Sequence, residues 1–154
     1  MQWTRGKTLL SDDKAQLQLG VIHGFLTNSY WSPGIPRETV AKAIAGSYCF
    51  GLYRDGEQIG FGRLITDQAT FAYLADVFVL EAYRGQGLAK WMLAEILAQE
   101  AFQGCRRILL ATRDAHRLYA GLGFHRPRFP EALMELHRPG LYPPNCTHTT
   151  KEPA

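Results

Sequence analysis

The sequence lacks most of what would mark a secreted, membrane or metal-binding protein. Its 154 residues hold only three cysteines, Cys49, Cys105 and Cys146. Their odd number and wide spacing offer no disulfide framework and point to a reducing compartment. The five histidines, His23, His116, His125, His137 and His148, fall at no metal-ligand spacing with one another or with the cysteines, so no metal is expected. No apolar run approaches bilayer-spanning length, and the opening Met1-Gln2-Trp3-Thr4-Arg5-Gly6-Lys7 has no apolar signal core. Net charge is small, with 17 Lys and Arg against 14 Asp and Glu. The basic residues are scattered and densest only at Arg106-Arg107, too weak a pattern for nucleic acid. A soluble cytoplasmic protein with neither membrane nor nucleic-acid partners is expected.

What is present is core-forming material. With 46% apolar and 12% aromatic residues, a chain of this length can bury one substantial core. Residues 1–137 are expected to form a single domain, and the Pro/Thr-rich residues 138–154 a poorly ordered tail. Between residues 14 and 30, Leu17, Val21, Ile22, Phe25 and Leu26 recur at helical spacing, with Ser11, Asp12 and Asp13 available as caps. A second short helix opens at Pro36, buries Val40 and Ile44, and stops at Gly46.

The period then changes. "SYCFGLY" and "QIGFGRLIT" read as strands joined by an Asp55-Gly56 turn, and a turn at Asp67-Gln68 leads into "ATFAYLADVFVL". The third strand, apolar on both faces, suits a central position. Leu88, Trp91, Met92, Ile96 and Leu97 form a helical stripe ending near Gly104, and "RRILLAT" is a buried-strand pattern. A helix between two strands makes them parallel neighbours through a right-handed crossover. Asp114 is a candidate cap for a short helix closed by Gly123, and Phe124 begins a further extended segment. The fold class is therefore mixed α/β: an antiparallel meander, then a parallel pair, with helices on both faces.

The junction of that crossover, "FVLEAYRGQGLAKWML" at residues 78–93, places bare backbone where a helix begins. Exposed amides and the positive end of a helix dipole favour an anion. A P-loop is absent, and the dinucleotide fingerprint fails because Lys90 stands at its third glycine. A pyrophosphate cradle over Arg84 to Ala89 fits better. A plain tight strand-to-helix turn would use the same glycines.

These residues resemble the signature of the GNAT superfamily of N-acetyltransferases, of the single-domain bacterial type: Arg/Gln-x-x-Gly-x-Gly/Ala, matched by Arg84, Gly87 and Ala89. "VFVLEAYRG" is similar to the family's approach to that signature, and "TRDAHRLYAGLGF" to its downstream block, through Ala115, Tyr119, Gly123 and Phe124. The resemblance implies a central mixed sheet of about six to seven strands and an acyl-CoA co-substrate, most simply acetyl-CoA, without a metal. It further implies that the backbone of Val77, Phe78 and Val79 holds the pantetheine arm, while Arg84, Gly85, Gln86, Gly87, Leu88 and Ala89 hold the pyrophosphate. Thr112 stands where the family often has Asn, and bonds either the cofactor arm or the following helix. Homodimers occur in the family, so a homodimer is a possibility.

The implied reaction moves an acetyl group to a primary amine of a small molecule or peptide by direct attack through a tetrahedral intermediate. A free amine titrates near ~10.4, so a base or a desolvating pocket must help, and an amide of Phe78 or Val79 is placed to meet the oxyanion. Tyr119 occupies the family's general-acid position; its alternative is packing of the short helix. Asp76, the only charged residue between Gln68 and Glu81, reads equally as a base or as a structural aspartate held by amides or by His23. Glu81 is a weaker base candidate. Tyr30 and Trp31 are candidate walls of the acceptor site or core anchors. A CoA-binding sensor without catalysis, and a cofactor-free partner module, are the competing functions.

Overall fold

The computed structural model describes residues 1–143; residues 144–154, and with them most of the expected tail, Cys146 and His148, lie outside the described residues. Six strands, β1 (Gln2–Arg5), β2 (Thr8–Ser11), β3 (Tyr48–Arg54), β4 (Glu57–Thr66), β5 (Phe71–Val79) and β6 (Arg107–Leu109), form one sheet in sequence order. Neighbours are antiparallel except β5 and β6, which are parallel. Helices α1 (Leu19–Leu26) and α2 (Arg37–Ala45) lie between β2 and β3, α3 (Leu88–Leu97) and α4 (Glu100–Gln103) make the crossover, and α5 (His116–Ala120) comes after β6. The expected mixed α/β architecture is the observed one.

Each face of the sheet has its own core. Leu10, Phe50, Leu52, Leu64 and Leu74 pack with Leu88, Met92, Leu93 and Ile96 of α3. Cys49, Phe61 and Phe78 pack on the opposite side with Ile22 and Leu26 of α1 and Val40 of α2. The local signals explain most boundaries. Asp55 and Gly56 both take positive φ (52° and 82°), as a two-residue hairpin requires. Pro36 precedes α2 and Gly46 ends it. Asp67 Oδ1 accepts from the amides of Ala69, Thr70 and Phe71, tying the β4–β5 turn.

Four expectations are corrected. A β1–β2 hairpin precedes the helices, and Ser11, a candidate helix cap in the sequence, is the last residue of β2; four-residue strands are too short for periodicity to register. The helix expected from residue 14 is a single 3-10 turn capped by Asp13, with extended Leu17 and Gln18 between it and α1. Tertiary contact breaks it: the Gln18 amide donates to Gln58 Oε1 at 2.7 Å and its side chain to Gly56 O at 2.9 Å. The crossover helix likewise breaks at Gln99, whose Oε1 accepts from the Tyr48 hydroxyl. No strand comes after Phe124 among the described residues. Among those residues, too, no helix is long and apolar enough to cross a membrane, and no three His, Cys, Asp or Glu side chains group to hold a metal ion.

The feature that positions the site is a bulge. Phe61 pairs with Phe78 but Arg63 with Ala75, so Asp76 and Val77 both oppose Gly62. The extra residue, Asp76, takes φ of 56°. A bulge bends and twists its strand, and β6 stays beside β5 only through Phe71, Ala72 and Tyr73. From Leu74 to Val79 the β6 side of β5 has no strand partner among the described residues. Gly62 has no room for a side chain, because a Cβ there would sit 2.5 Å from the ring of fully buried Phe50. Gly62→Ala should therefore lower the unfolding free energy by about 1–3 kcal/mol in urea titrations, the usual cost of overpacking.

Candidate functional site

Three groups of residues converge where β5 and β6 part. The first is the open edge of β5. Leu80 N donates to Ile59 O, and the register pairs Phe61 with Phe78 and Gly60 with Val79. Antiparallel bonding alternates along a strand, so the Phe78 amide faces β4 while those of Val77 and Val79 face the open edge. Arg84 Nε donates to Val79 O at 2.9 Å, capping the carbonyl at the end of that edge. Of the two amides considered for an oxyanion, Val79 is the one the register leaves available.

The second group is the glycine junction. Gly85 and Gly87 take φ of 76° and 70°, a region that costs other residues free energy. Gly87 is the N-cap of α3 and makes no side-chain cap bond. The amides from Gly85 to Lys90 have no hydrogen-bond partner among the described residues. Leu88 sends its side chain into the core, and Ala89 packs at its margin. Cations gather around these amides. Arg5 donates to Gly87 O at 3.3 Å, and Arg54 to Gln86 Oε1 at 3.1 Å and to Thr8 Oγ1 at 2.8 Å. Arg54 lies over the Tyr83 ring, and its buried Nε has no partner. Arg5 and Arg54 escaped the sequence reading because they come from β1 and β3, far away in the chain. Only a correct β1–β2–β3 pairing would have pointed to them.

The third group is aromatic. Phe78 stacks on Phe25 of α1 at 4.0 Å, Phe25 touches Trp31, and Trp31 meets Tyr30 edge-on at 5.0 Å. Tyr30 and Trp31 are 42% and 41% exposed, too open for core anchors. The Tyr30 hydroxyl accepts from the Arg113 amide, and the Arg113 guanidinium lies 3.9 Å over the Tyr30 ring. The α1–α2 loop thereby reaches the chain beyond β6. Arg113 was another residue that the sequence did not single out.

Tyr119 lies on α5, half-buried, edge-on to Phe124. Burial pushes its phenol up to about 12, and the neighbouring Tyr30 and Asp114 add to the shift. Its hydroxyl has no hydrogen-bond partner among the described residues. Thr112 Oγ1 accepts from the Ala115 amide at 3.0 Å and so serves the turn into α5; Asp114 does not cap that helix. Asp76 has both oxygens occupied, Oδ2 by Arg63 Nε at 2.6 Å and Oδ1 by Trp31 Nε1 at 2.9 Å. His23 bonds Ile35 O instead. Glu81 sits in a 3-10 turn before the cradle.

Comparisons with known proteins agree on a family. The profile of the acetyltransferase (GNAT) family matches residues 21–124. A Gibberella zeae protein named "Putative acetyltransferase FG08082" is 36% identical over an alignment covering 76% of this chain and 78% of that protein. A crystal structure from Xanthomonas campestris pv. campestris, described as a "putative acetyltransferase belonging to the gnat family", is similar at a TM-score of 0.86 and 46% identity, covering 90% of this chain and 99% of that one. One from Deinococcus radiodurans shares the fold at a TM-score of 0.68 and 20% identity, covering 88% and 92%.

The Arg63–Asp76 pair is largely buried, with side-chain exposures of 16% and 9%. Removing one partner leaves a buried charge uncompensated. Asp76→Ala should cost about 3–5 kcal/mol by chemical denaturation, and Asp76→Ala with Arg63→Met appreciably less.

Proposed function

Since the chain belongs to the GNAT acetyltransferase family, we propose that it transfers an acetyl group from acetyl-CoA to the primary amine of a small molecule or peptide. The observation that carries this reading is the run of unpartnered amides from Gly85 to Lys90, continuous with the open edge of β5 at Val77 and Val79. These groups fit coenzyme A. Six amides at a helix start, with Arg5 and Arg54 close by, suit a pyrophosphate. The lone buried Arg54 Nε is a donor in want of an acceptor. An open strand edge suits an arm that itself contains amides.

Acetyl-CoA supplies the acyl group and a thiol leaving group; the chain supplies orientation and protons. The Val79 amide, on the open edge, stabilises negative charge developing on the acyl oxygen. Tyr119 keeps its proton at neutral pH, as an ordinary phenol does, and burial raises its pKa further; it donates that proton, or a hydrogen bond, to the departing sulfur. Tyr30 and Trp31 wall the acceptor side, with Arg113 clamped on Tyr30. Asp76 acts as a positioning residue: with both oxygens held, it fixes Trp31 against β5 rather than taking a proton from the amine.

Thiol release from acetyl-CoA with a panel of primary amines tests the reading. Tyr119→Phe should lower kcat by about 10²-fold with little change in the KM for acetyl-CoA. Ionisation of Tyr119 removes the acid as pH rises through its pKa of about 12, so the rate should show no alkaline fall from this group between pH 7 and about 10. Full activity in Tyr119→Phe at every pH would refute the acid role. Coenzyme A should raise the melting temperature of the parent chain but not of Gly87→Glu, whose carboxylate faces the cradle.

A further inference from the structure

The acceptor side of the cleft carries a cation that the proposed chemistry leaves unused. Arg113 lies in the chain beyond β6 and is exposed. Its guanidinium lies 3.9 Å over the Tyr30 ring, and its own amide donates to the Tyr30 hydroxyl at 3.2 Å. Two contacts to one residue fix where this cation stands, but neither answers its charge with an anion. Among the described residues the ion pairs are Met1–Asp12 and Arg63–Asp76, and the Arg113 guanidinium donates no hydrogen bond. The neighbouring carboxylates do not neutralise it. Asp76 has both oxygens taken by Arg63 and Trp31, and Asp114 makes no ion pair with Arg113, its charge being felt at Tyr119.

The other arginines of the cleft are occupied by the protein itself: Arg5 by Gly87 O, Arg54 by Gln86 and Thr8, Arg84 by Val79 O. Arg113 is held yet free to bind. A guanidinium over an aromatic ring keeps its N–H donors, which lie in its own plane, available at the rim. That fork matches a carboxylate through two parallel hydrogen bonds. Holding the side chain on Tyr30 also reduces the rotamer freedom that binding would otherwise remove. Tyr30 is itself placed, because it meets Trp31 edge-on at 5.0 Å and Trp31 Nε1 donates to Asp76 at the bulge. Tyr30 is also close enough to Tyr119 to add to the upward shift of its phenol. One ring therefore ties Arg113 to the bulged wall and to the acid.

We infer that the acceptor is a primary amine that also carries a carboxylate, and that Arg113 binds this carboxylate and so determines specificity. This assignment rests on the acetyl transfer proposed above and narrows its acceptors to amino acids and acidic peptides. The amine nitrogen takes the acyl group, while the carboxylate stays on Arg113 and exchanges no bond. A diamine, with a second positive charge where the carboxylate would lie, is repelled by Arg113.

Thiol release from acetyl-CoA with glycine, β-alanine and γ-aminobutyrate, each beside its amide and the diamine of the same chain length, tests this. In the parent chain, kcat/KM for the best carboxylate should exceed that for its amide at least about tenfold, as a charge-assisted pair of bonds implies. Arg113→Gln should bring this ratio near one, and Arg113→Glu should turn the preference toward the diamine. Arg113→Lys should keep part of the ratio, since the charge remains and the fork is lost. The same ratio for amidated Gly-Asp against amidated Gly-Asn tells a peptide acceptor from a free amino acid. A ratio near one in the parent, or one unmoved in Arg113→Glu, overturns the inference and leaves acetyl transfer standing. So does an equal rise in the KM for acetyl-CoA, because Arg113 then serves the cofactor. Thiol release with neither kind of amine overturns acetyl transfer itself, and the inference with it.

Discussion

Two residues of β5 facing one of β4 set the shape of the whole cleft. Gly62 can oppose both Asp76 and Val77 because it has no side chain; Phe50 fills the space where one would go. Asp76 pays for a left-handed conformation, of order 1–3 kcal/mol for a non-glycine residue, and the Arg63 ion pair and the Trp31 hydrogen bond hold it there. The bent strand then leaves β6 after three paired residues. A cleft opens with amides of β5 on one wall, and the same aspartate pins the aromatic loop over its mouth.

The electrostatics of the cleft come from the whole sheet rather than from one motif. The unpartnered amides of the α3 start belong to a single stretch, but Arg5 reaches them from β1 and Arg54 from β3. Backbone dipoles and side-chain cations thus add at one place. At the other end of the cleft the dominant effect is desolvation. The Tyr119 phenol is packed by Phe124 and apolar neighbours, and burial favours its neutral, proton-bearing form.

The meander, the crossover and the glycine junction were legible because their signals are local: strand periodicity, an Asp-Gly turn, and glycines at a helix start. Gly85 and Gly87 do take positive φ. The N-terminal hairpin was not legible, since four-residue strands carry too few side chains to display a period. The helix from residue 14 was misread for a different reason. Its propensity is real, but Gln18 gains hydrogen bonds to Gln58 and Gly56 by staying extended, and tertiary contact outweighs a few tenths of a kcal/mol per residue.

By itself the sequence determined the meander, the crossover, the family signature and the bare backbone at the start of α3, because turn chemistry and helix starts depend on neighbours a few residues away. The tertiary structure decided which groups share the cleft. It directed the Val79 amide to the open edge and the Phe78 amide to β4, gave both oxygens of Asp76 to Arg63 and Trp31, and brought Arg5, Arg54 and Arg113 from distant segments. Those outcomes depend on strand register and on one bulge, and a register is an agreement between segments that neither segment carries alone.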